Sequence, residues 1–394
     1  MRAKLPRVAL LIETSRTYGR GIIRGIAHYA HVHGPWSFFT EERELHSGIP
    51  DRLQSWNVDG IIARIEGKRM AGILSRCGCP VVDVLGNARF KSIPGFDTEA
   101  NAVAKLAADF FLNAGFRQFA FCGYQGIPFS DRRAEAFRNY LTSQHYSLRQ
   151  PPVLASLAVP AHIQAIERQG MDREKTLAAW LRKQPRPLAL FACNDVCAQQ
   201  VLNICREHAI QVPEEVAVMG VDNDDVLCNI CEPPLTSIEP DTERLGYEAA
   251  ALLDRMMRGQ KPKLEMTQIS PLQVVERAST DAVAIGDPIT VQAVRFIRDH
   301  ADDGISVKDV LANVGRSRTD VEQRFRRWLK TSIRGEIIRR RTDRICALLR
   351  QTDLSLSEIA RRTGFSAPTH LCRLFRSQLG QTPGQYRHSP KARH

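Results

Sequence analysis

The polar side chains just beyond the short apolar runs of this 394-residue sequence are the ones whose chemistry is most specific. They are Tyr18 and Arg20 after the first run, Asp97 in Gly95-Phe-Asp97, Arg133, Asn194, and Asp222 in Asp222-Asn-Asp-Asp225. Carboxylate, amide and guanidinium groups are planar and make two hydrogen bonds at once, which suits the neighbouring hydroxyls of a small polyol. Asp and Asn after strands also cap helices, and taken singly each of these reads first as a cap. Catalytic alternatives find little: there is no Gly-rich phosphate loop and no G-x-S-x-G elbow. Cys228-x-x-Cys231 and Cys77-x-Cys79 lack a second pair at zinc spacing, so the ten cysteines read as reduced, mostly buried thiols with no metal and no cofactor.

Such residues need elements to position them. Val8–Ile12 (as Val8-Ala-Leu-Leu-Ile12), Asp59-Gly-Ile-Ile-Ala63, Pro80-Val-Val-Asp-Val-Leu85, Phe119-Ala-Phe-Cys122, Leu188-Ala-Leu-Phe-Ala192 and Val216-Ala-Val-Met-Gly220 read as strands. Helical patterns lie between them, at 21–30, 132–144 and 195–208. Uniformly apolar strands alternating with helices predict parallel sheets covered on both faces, with ligands beyond the carboxyl ends of the strands.

Charge divides the chain. From Asp287 onward there are 22 Lys and Arg against 11 Asp and Glu, whereas the first 286 residues hold 33 against 32. The composition is otherwise that of a globular protein, with 43% hydrophobic and 25% charged residues. A nearly neutral domain is thus followed by a small basic one that keeps a full apolar pattern, the mark of a folded anion-binding module. No run approaches the ~20 apolar residues of a membrane span, and the first is too short for a signal peptide, so a cytoplasmic protein with no membrane partner is expected.

Four motifs refine the first part: Ala192-Cys-Asn-Asp195, Val212-Pro-Glu-Glu-Val-Ala-Val-Met-Gly-Val-Asp222, Pro234-Leu-Thr-Ser-Ile238 and Val274-Val-Glu-Arg-Ala-Ser279. In this order they resemble the sensing core of the lactose/galactose repressor family, across about residues 6–281. The resemblance implies an α/β, two-lobed, periplasmic-binding-protein-like domain whose chain crosses between lobes more than once. It also implies cleft roles for Asp97, Arg133, Asn194 and Asp222. The DNA-binding headpiece that ordinarily precedes such a core is replaced by a module at the other end.

That module is a diverged repeat. Val307-Lys-Asp-Val-Leu-Ala-Asn-Val-Gly315 leads to Ser317 and Phe325; Leu356-Ser-Glu-Ile-Ala-Arg-Arg-Thr-Gly364 leads to Ser366 and Phe375, with one extra residue in the second copy. Each copy predicts a helix-turn-helix, near 306–326 and 355–376. Gly315 or Gly364 takes the left-handed turn and Ser317 or Ser366 caps the second helix. Residues 333–349 predict one long helix between the copies, Ile337, Ile338, Ile345 and Leu348 inward and Arg339-Arg-Arg341 outward.

The run from Gly364-Phe-Ser366 to Thr382-Pro-Gly-Gln-Tyr-Arg387 closely resembles the AraC-type signature. It implies an all-α domain binding double-stranded DNA, with Thr319 and Gln323 facing bases in the first reader and Thr369 and Arg373 in the second. Arg316, Arg318, Arg324 and Arg376 are expected on phosphates, and Arg373 is the strongest candidate for a base, since arginine pairs bidentately with guanine.

The expected domains are a sensor over 1–281, a linker over 282–288 and a DNA-binding domain over 289–394. This order resembles the xylose operon regulator family. It implies a homodimeric activator responding to D-xylose or a related pentose, with RNA polymerase as a further partner. One position departs from that family: Gly19 stands where its members can carry an acidic residue, removing a hydroxyl acceptor. A sugar-acting enzyme fused to a DNA-binding module, a regulator of a non-sugar ligand, and an architectural DNA-binding protein remain the alternatives.

Overall fold

The computed structural model describes residues 5–41, 49–85, 92–151, 174–281, 287–329, 331–352 and 354–388. Most of the linker expected at 282–288 lies outside the described residues. The chain separates into two compact units, Met1–Ala282 and Val283–His394.

The first unit holds two six-stranded sheets. One contains β1 (Arg7–Leu11), β2 (Ser37–Phe39), β3 (Gly60–Ala63), β4 (Val81–Asp83), β5 (Gly95–Thr98) and, from far along the chain, β11 (Met266–Ile269). Their order across the sheet is β11-β5-β4-β3-β1-β2, and all pairs are parallel. The other contains β6 (Gln118–Cys122), β7 (Leu148–Arg149), β8 (Leu188–Ala192), β9 (Val216–Val221), β10 (Thr236–Glu239) and β12 (Gln273–Val275). Its order is β12-β10-β9-β8-β6-β7, parallel except for β12 against β10. The chain crosses between the lobes three times, after β5, β10 and β11. The parallel sheets are those that the apolar runs imply, and the two lobes are those that the resemblance to the repressor core implies.

The strands read as continuous apolar runs because both faces of each sheet are covered. Val8, Leu10 and Ile12 pack on α1 (Thr17–His33) and α8 (Thr242–Met257), while Ala9 and Leu11 face the opposite layer with Leu74. Side chains alternate across a strand, so two burying layers demand apolar residues at every position. The contact between α1 and α8 is made by backbone. A Cβ on Gly25 would stand 1.9 Å from the Glu243 carbonyl oxygen, and one on Gly246 2.0 Å from that of Ile22. The second lobe carries α3 (Ala100–Asn113), α4 (Pro128–Ser143), α5 (Glu174–Arg182), α6 (Asp195–Glu207) and α7 (Asp225–Ile230); α2 (Lys68–Leu74) belongs to the first lobe.

The second unit is helical: α9 (Pro288–His300), α10 (Val307–Val314), α11 (Arg318–Leu329), α12 (Ile333–Gln351), α13 (Leu356–Arg362), α14 (Pro368–Leu379) and α15 (Pro383–His388). It has two separate cores, one around Val310, Val321, Phe325 and Ile337, the other around Ile345, Ile359, Leu371 and Phe375. Helix α12 contributes to both. Its expected outward arginines divide: Arg339 is exposed, Arg340 is half-buried, both donate to Glu336, and Arg341 donates to the Ala301 and Ile305 carbonyls. A half-buried guanidinium needs acceptors, and the loop carbonyls provide them.

The helix contact sets a stability test. Gly25→Ala is expected to destabilise the first unit by about 3 kcal/mol, because neither backbone can give way. Gly72→Ala, in a helix with nothing within 4 Å of its new methyl, is expected to add about 0.5–1 kcal/mol. Urea midpoints measure both, and an unchanged midpoint for Gly25→Ala would contradict the close approach.

Candidate functional site

The carboxyl ends of both sheets face one cleft. A cavity of about 380 Å³ there is lined from the first lobe by Ser15, Arg16, Thr17, Tyr18 and Arg20 and from the second by Asp195, Val196, Asp222, Asp224 and the residues Val226, Leu227 and Ile230. Two direct bonds span the lobes beside it. Arg132 Nη2 on α4 donates to Asp97 Oδ2 on β5 at 2.6 Å, and the Thr17 backbone N–H donates to Asp224 Oδ2 at 3.3 Å.

The sequence-derived residues take distinct places around this cleft. Tyr18 bonds through its hydroxyl with Thr98 Oγ1 at 3.1 Å, and burial together with the nearby Asp97 carboxylate pushes its phenol up, so it serves as a neutral hydroxyl. Arg20 is exposed at the cavity, where it donates to the Thr14 carbonyl and Thr17 Oγ1. Asp97 is raised from the usual carboxylate range by burial, against the lowering pull of Arg132 and Arg133. Arg133 is only 7% exposed, donates to the Cys193 carbonyl and stands 3.8 Å from Asp222. Asn194 accepts from the Cys197 N–H at 2.9 Å as the N-cap of α6, so the capping role is the one its side-chain oxygen fills.

Asp222 has the cleft's most distinctive backbone. Its φ is +112°, a region non-glycine residues occupy at a cost of about 1–3 kcal/mol. Burial raises its carboxyl to about 6 in spite of Arg133, Arg16 and Arg64. Behind it lies Asp195, 2% exposed, accepting from Ser237 Oγ at 2.6 Å, the Asp224 N–H at 2.8 Å and the Cys228 thiol at 3.4 Å. Burial first, and then the Asp222 charge, push Asp195 up to about 8. Six of the ten free thiols are buried, Cys228 among them.

Three polar residues here were not singled out from the sequence. Arg132, rather than its neighbour Arg133, pairs with Asp97. Glu13 and Arg64 form a buried ion pair at 2.5 Å, with Glu13 Oε2 and Arg64 Nε left without hydrogen-bond partners. A signal existed, since Glu13 and Arg64 directly follow the strand runs ending at Ile12 and Ala63. They also explain Gly19. A Cβ there would stand 2.1 Å from the Glu13 carbonyl oxygen and 2.9 Å from its carboxyl carbon. No side chain fits at 19, and a carboxylate from position 13 lies against it.

In the second unit, the two helix-turn-helix turns pass through Gly315 at φ +62° and Gly364 at φ +72°. Ser317 Oγ accepts from the Asp320 N–H at 3.3 Å and caps α11. Ser366 does not cap α14: the extra residue moves the helix start to Pro368, and Ser366 bonds with His370. Thr319 and Gln323 on α11, and Thr369 and Arg373 on α14, are exposed, as are Arg316, Arg318 and Arg376. Arg324 differs. It pairs with Asp320 at 2.8 Å and with Asp287 at the start of α9, so it braces the reader helix instead of presenting a free guanidinium to phosphate.

A cleft lined by two-point hydrogen-bonding groups, joined to a module with two exposed reader helices, defines a DNA-binding transcription regulator with its own sensor domain, not an enzyme. Residues 108–280 match the family of periplasmic-binding-protein-like domains, residues 7–96 the XylR N-terminal domain and residues 310–389 a helix-turn-helix domain family. The xylose operon regulatory protein of Haemophilus influenzae is 29% identical over 97% of this chain and 98% of its own. That of Escherichia coli is 29% identical over 98% of both. A solved structure described as the xylose-binding transcription activator XylR superposes with a TM-score of 0.75 at 28% identity, covering 98% of this chain and 99% of that one. Along nearly its whole length the chain is similar to xylose operon regulatory proteins. Among the described residues no helix is long and apolar enough to cross a membrane.

The buried acid Asp195 gives a pH test. A folded-state pKa raised to about 8 means the folded chain holds a proton that the unfolded chain releases near 4. The associated stability is present below pH 4 and is lost as pH rises towards 8. Asp195→Asn, which cannot ionise, should therefore gain on the wild type between pH 5 and pH 8 in urea unfolding. A constant offset across that range would contradict a buried neutral acid.

Proposed function

We propose that this protein is a sugar-responsive activator, its effector D-xylose or a related pentose, and that it works in the cytoplasm. The observation that carries the reading is the convergence of Asp97, Arg132, Arg133 and Asp222, from both lobes, on one cleft. Alternating acceptors and donors match a ring of hydroxyls, and Tyr18 and Arg20 at the mouth add a neutral hydroxyl and further donors. Glu13 takes the acceptor role absent at position 19. The relatives are named for xylose, which favours a pentose over larger sugars.

The sensor, 1–281, would close on its sugar and shift the population of its lobe arrangements; a homodimer would pass this to the DNA-binding domain, 289–394, through the linker. Coupling of ~1–3 kcal/mol corresponds to a roughly 5- to 150-fold change in DNA affinity. Bound beside a promoter, the protein would then recruit RNA polymerase. On DNA, Thr319, Gln323, Thr369 and Arg373 read bases while Arg316, Arg318 and Arg376 hold phosphates. Arg324 acts by positioning α11.

A melting scan against D-xylose, other pentoses and common hexoses tests the sensor. A pentose at about 100 times its Kd should add ~2.7 kcal/mol, and Asp222→Asn should abolish that shift. No shift with any sugar would contradict the reading. On DNA, Arg373→Ala should cost ~1–3 kcal/mol and relax specificity at one base pair. Arg376→Ala should weaken binding to all sequences alike and flatten the salt dependence. Titrations at two salt concentrations distinguish the two, and equal losses on every sequence for Arg373→Ala would remove it from base reading.

A further inference from the structure

The helical unit has two cores with one helix in common, and a helix alone would leave the two readers free to bend about its middle. The middle of α12 is instead gripped from the side. Arg341 Nε and Nη2 donate to the Ala301 and Ile305 carbonyls, each at 2.9 Å, so α12 is tied to the loop that leads into the first helix-turn-helix. The same guanidinium lies 5.6 Å from the centre of the Phe365 ring, which belongs to the turn of the second. One turn further along, Arg344 Nε pairs with Asp302 Oδ2 at 3.3 Å.

The two halves also touch directly, backbone to backbone. Gly304 has φ +79° and Gly364 φ +72°. A Cβ on Gly364 would stand 2.5 Å from the Gly304 nitrogen and 3.0 Å from the Asp302 carbonyl oxygen. Gly364 therefore serves twice: it takes the left-handed turn between α13 and α14, and it lets the first half of the module press against that turn. The contact points lie off the axis of α12, so together they fix bending and rotation, which a shared helix does not.

We infer that the Gly304–Gly364 contact and the Arg341 bridge form a lock that makes the separation between the two DNA readers a fixed property, and so restricts binding to sites with one spacing between their two boxes. One base pair moves the second box about 3.4 Å along the duplex and about 35° around it. A locked module cannot follow that displacement without losing the base contacts of one reader.

The test uses the full-length protein and a duplex that it enriches from a randomised 30-base-pair library. Base pairs are then inserted or removed one at a time between the two protected boxes, and affinity is read by fluorescence anisotropy. The wild type should lose about tenfold or more at one base pair either way, the contribution of a single good base contact or more. Arg341→Met keeps the apolar stem and removes the donors. It should bind a single-box duplex like the wild type, bind the best two-box duplex more weakly, and show a flatter spacing profile. A wild type that binds within about twofold across these separations overturns the lock, whether or not the variant folds. So does an Arg341→Met profile parallel to the wild type's. The inference rests on both helices reading DNA: failure to enrich any duplex would contradict that reading, whereas enriched duplexes bound equally at every spacing refute the lock alone.

Discussion

The sensor depends on charge held across a gap. Asp97 rises from one sheet and Arg132 from the helix beside the other, and their 2.6 Å ion pair joins the lobes. Partly buried pairs of this kind add little net stability, because desolvation offsets most of the attraction, and a ligand that offers equivalent hydrogen bonds can replace them at small cost. The cleft is thereby kept polar and ordered without being closed to exchange. Burial holds Asp97, Asp195 and Asp222 above the ordinary carboxylate range, and the surrounding arginines oppose that rise at Asp97 and Asp222. The left-handed backbone at Asp222 shows that its position is imposed by its surroundings, and such strain collects at binding sites.

The DNA-binding unit solves a different problem with similar means. Its reader helices expose their polar faces because Val321 and Phe325, and Leu371 and Phe375, anchor the opposite faces in two small cores. Small cores leave helix ends weakly held, and charge supplies the bracing. Arg324 joins α11 to Asp287, which itself caps α9 through the Thr290 N–H. The residue that begins the module thus touches its first reader helix.

Much of this was legible in the residues. Continuous apolar runs gave parallel sheets because both faces are buried, and the two Gly–Phe repeats gave the reader helices because left-handed turns and buried aromatics leave few alternatives. The cleft was legible only in part. The rule that ligands meet residues after strands selected Tyr18 and Asp97, and applied evenly it also selects Glu13 and Arg64. Choosing Arg132 over Arg133 for Asp97 requires the rotation of α4, which spacing does not define. Arg341 and Gly364 read as a solvated face and a turn. Their second roles arise from contacts between segments about 40–60 residues apart, beyond the reach of local pattern.

The central claim is that occupancy of the cleft changes DNA binding. Its most direct test is the affinity of the full-length protein for an enriched duplex, measured by fluorescence anisotropy at fixed salt with and without saturating D-xylose or the pentose that stabilises it. The account requires a roughly 5- to 150-fold change in affinity that disappears in Asp222→Asn. Identical isotherms with and without a sugar that demonstrably binds would contradict it.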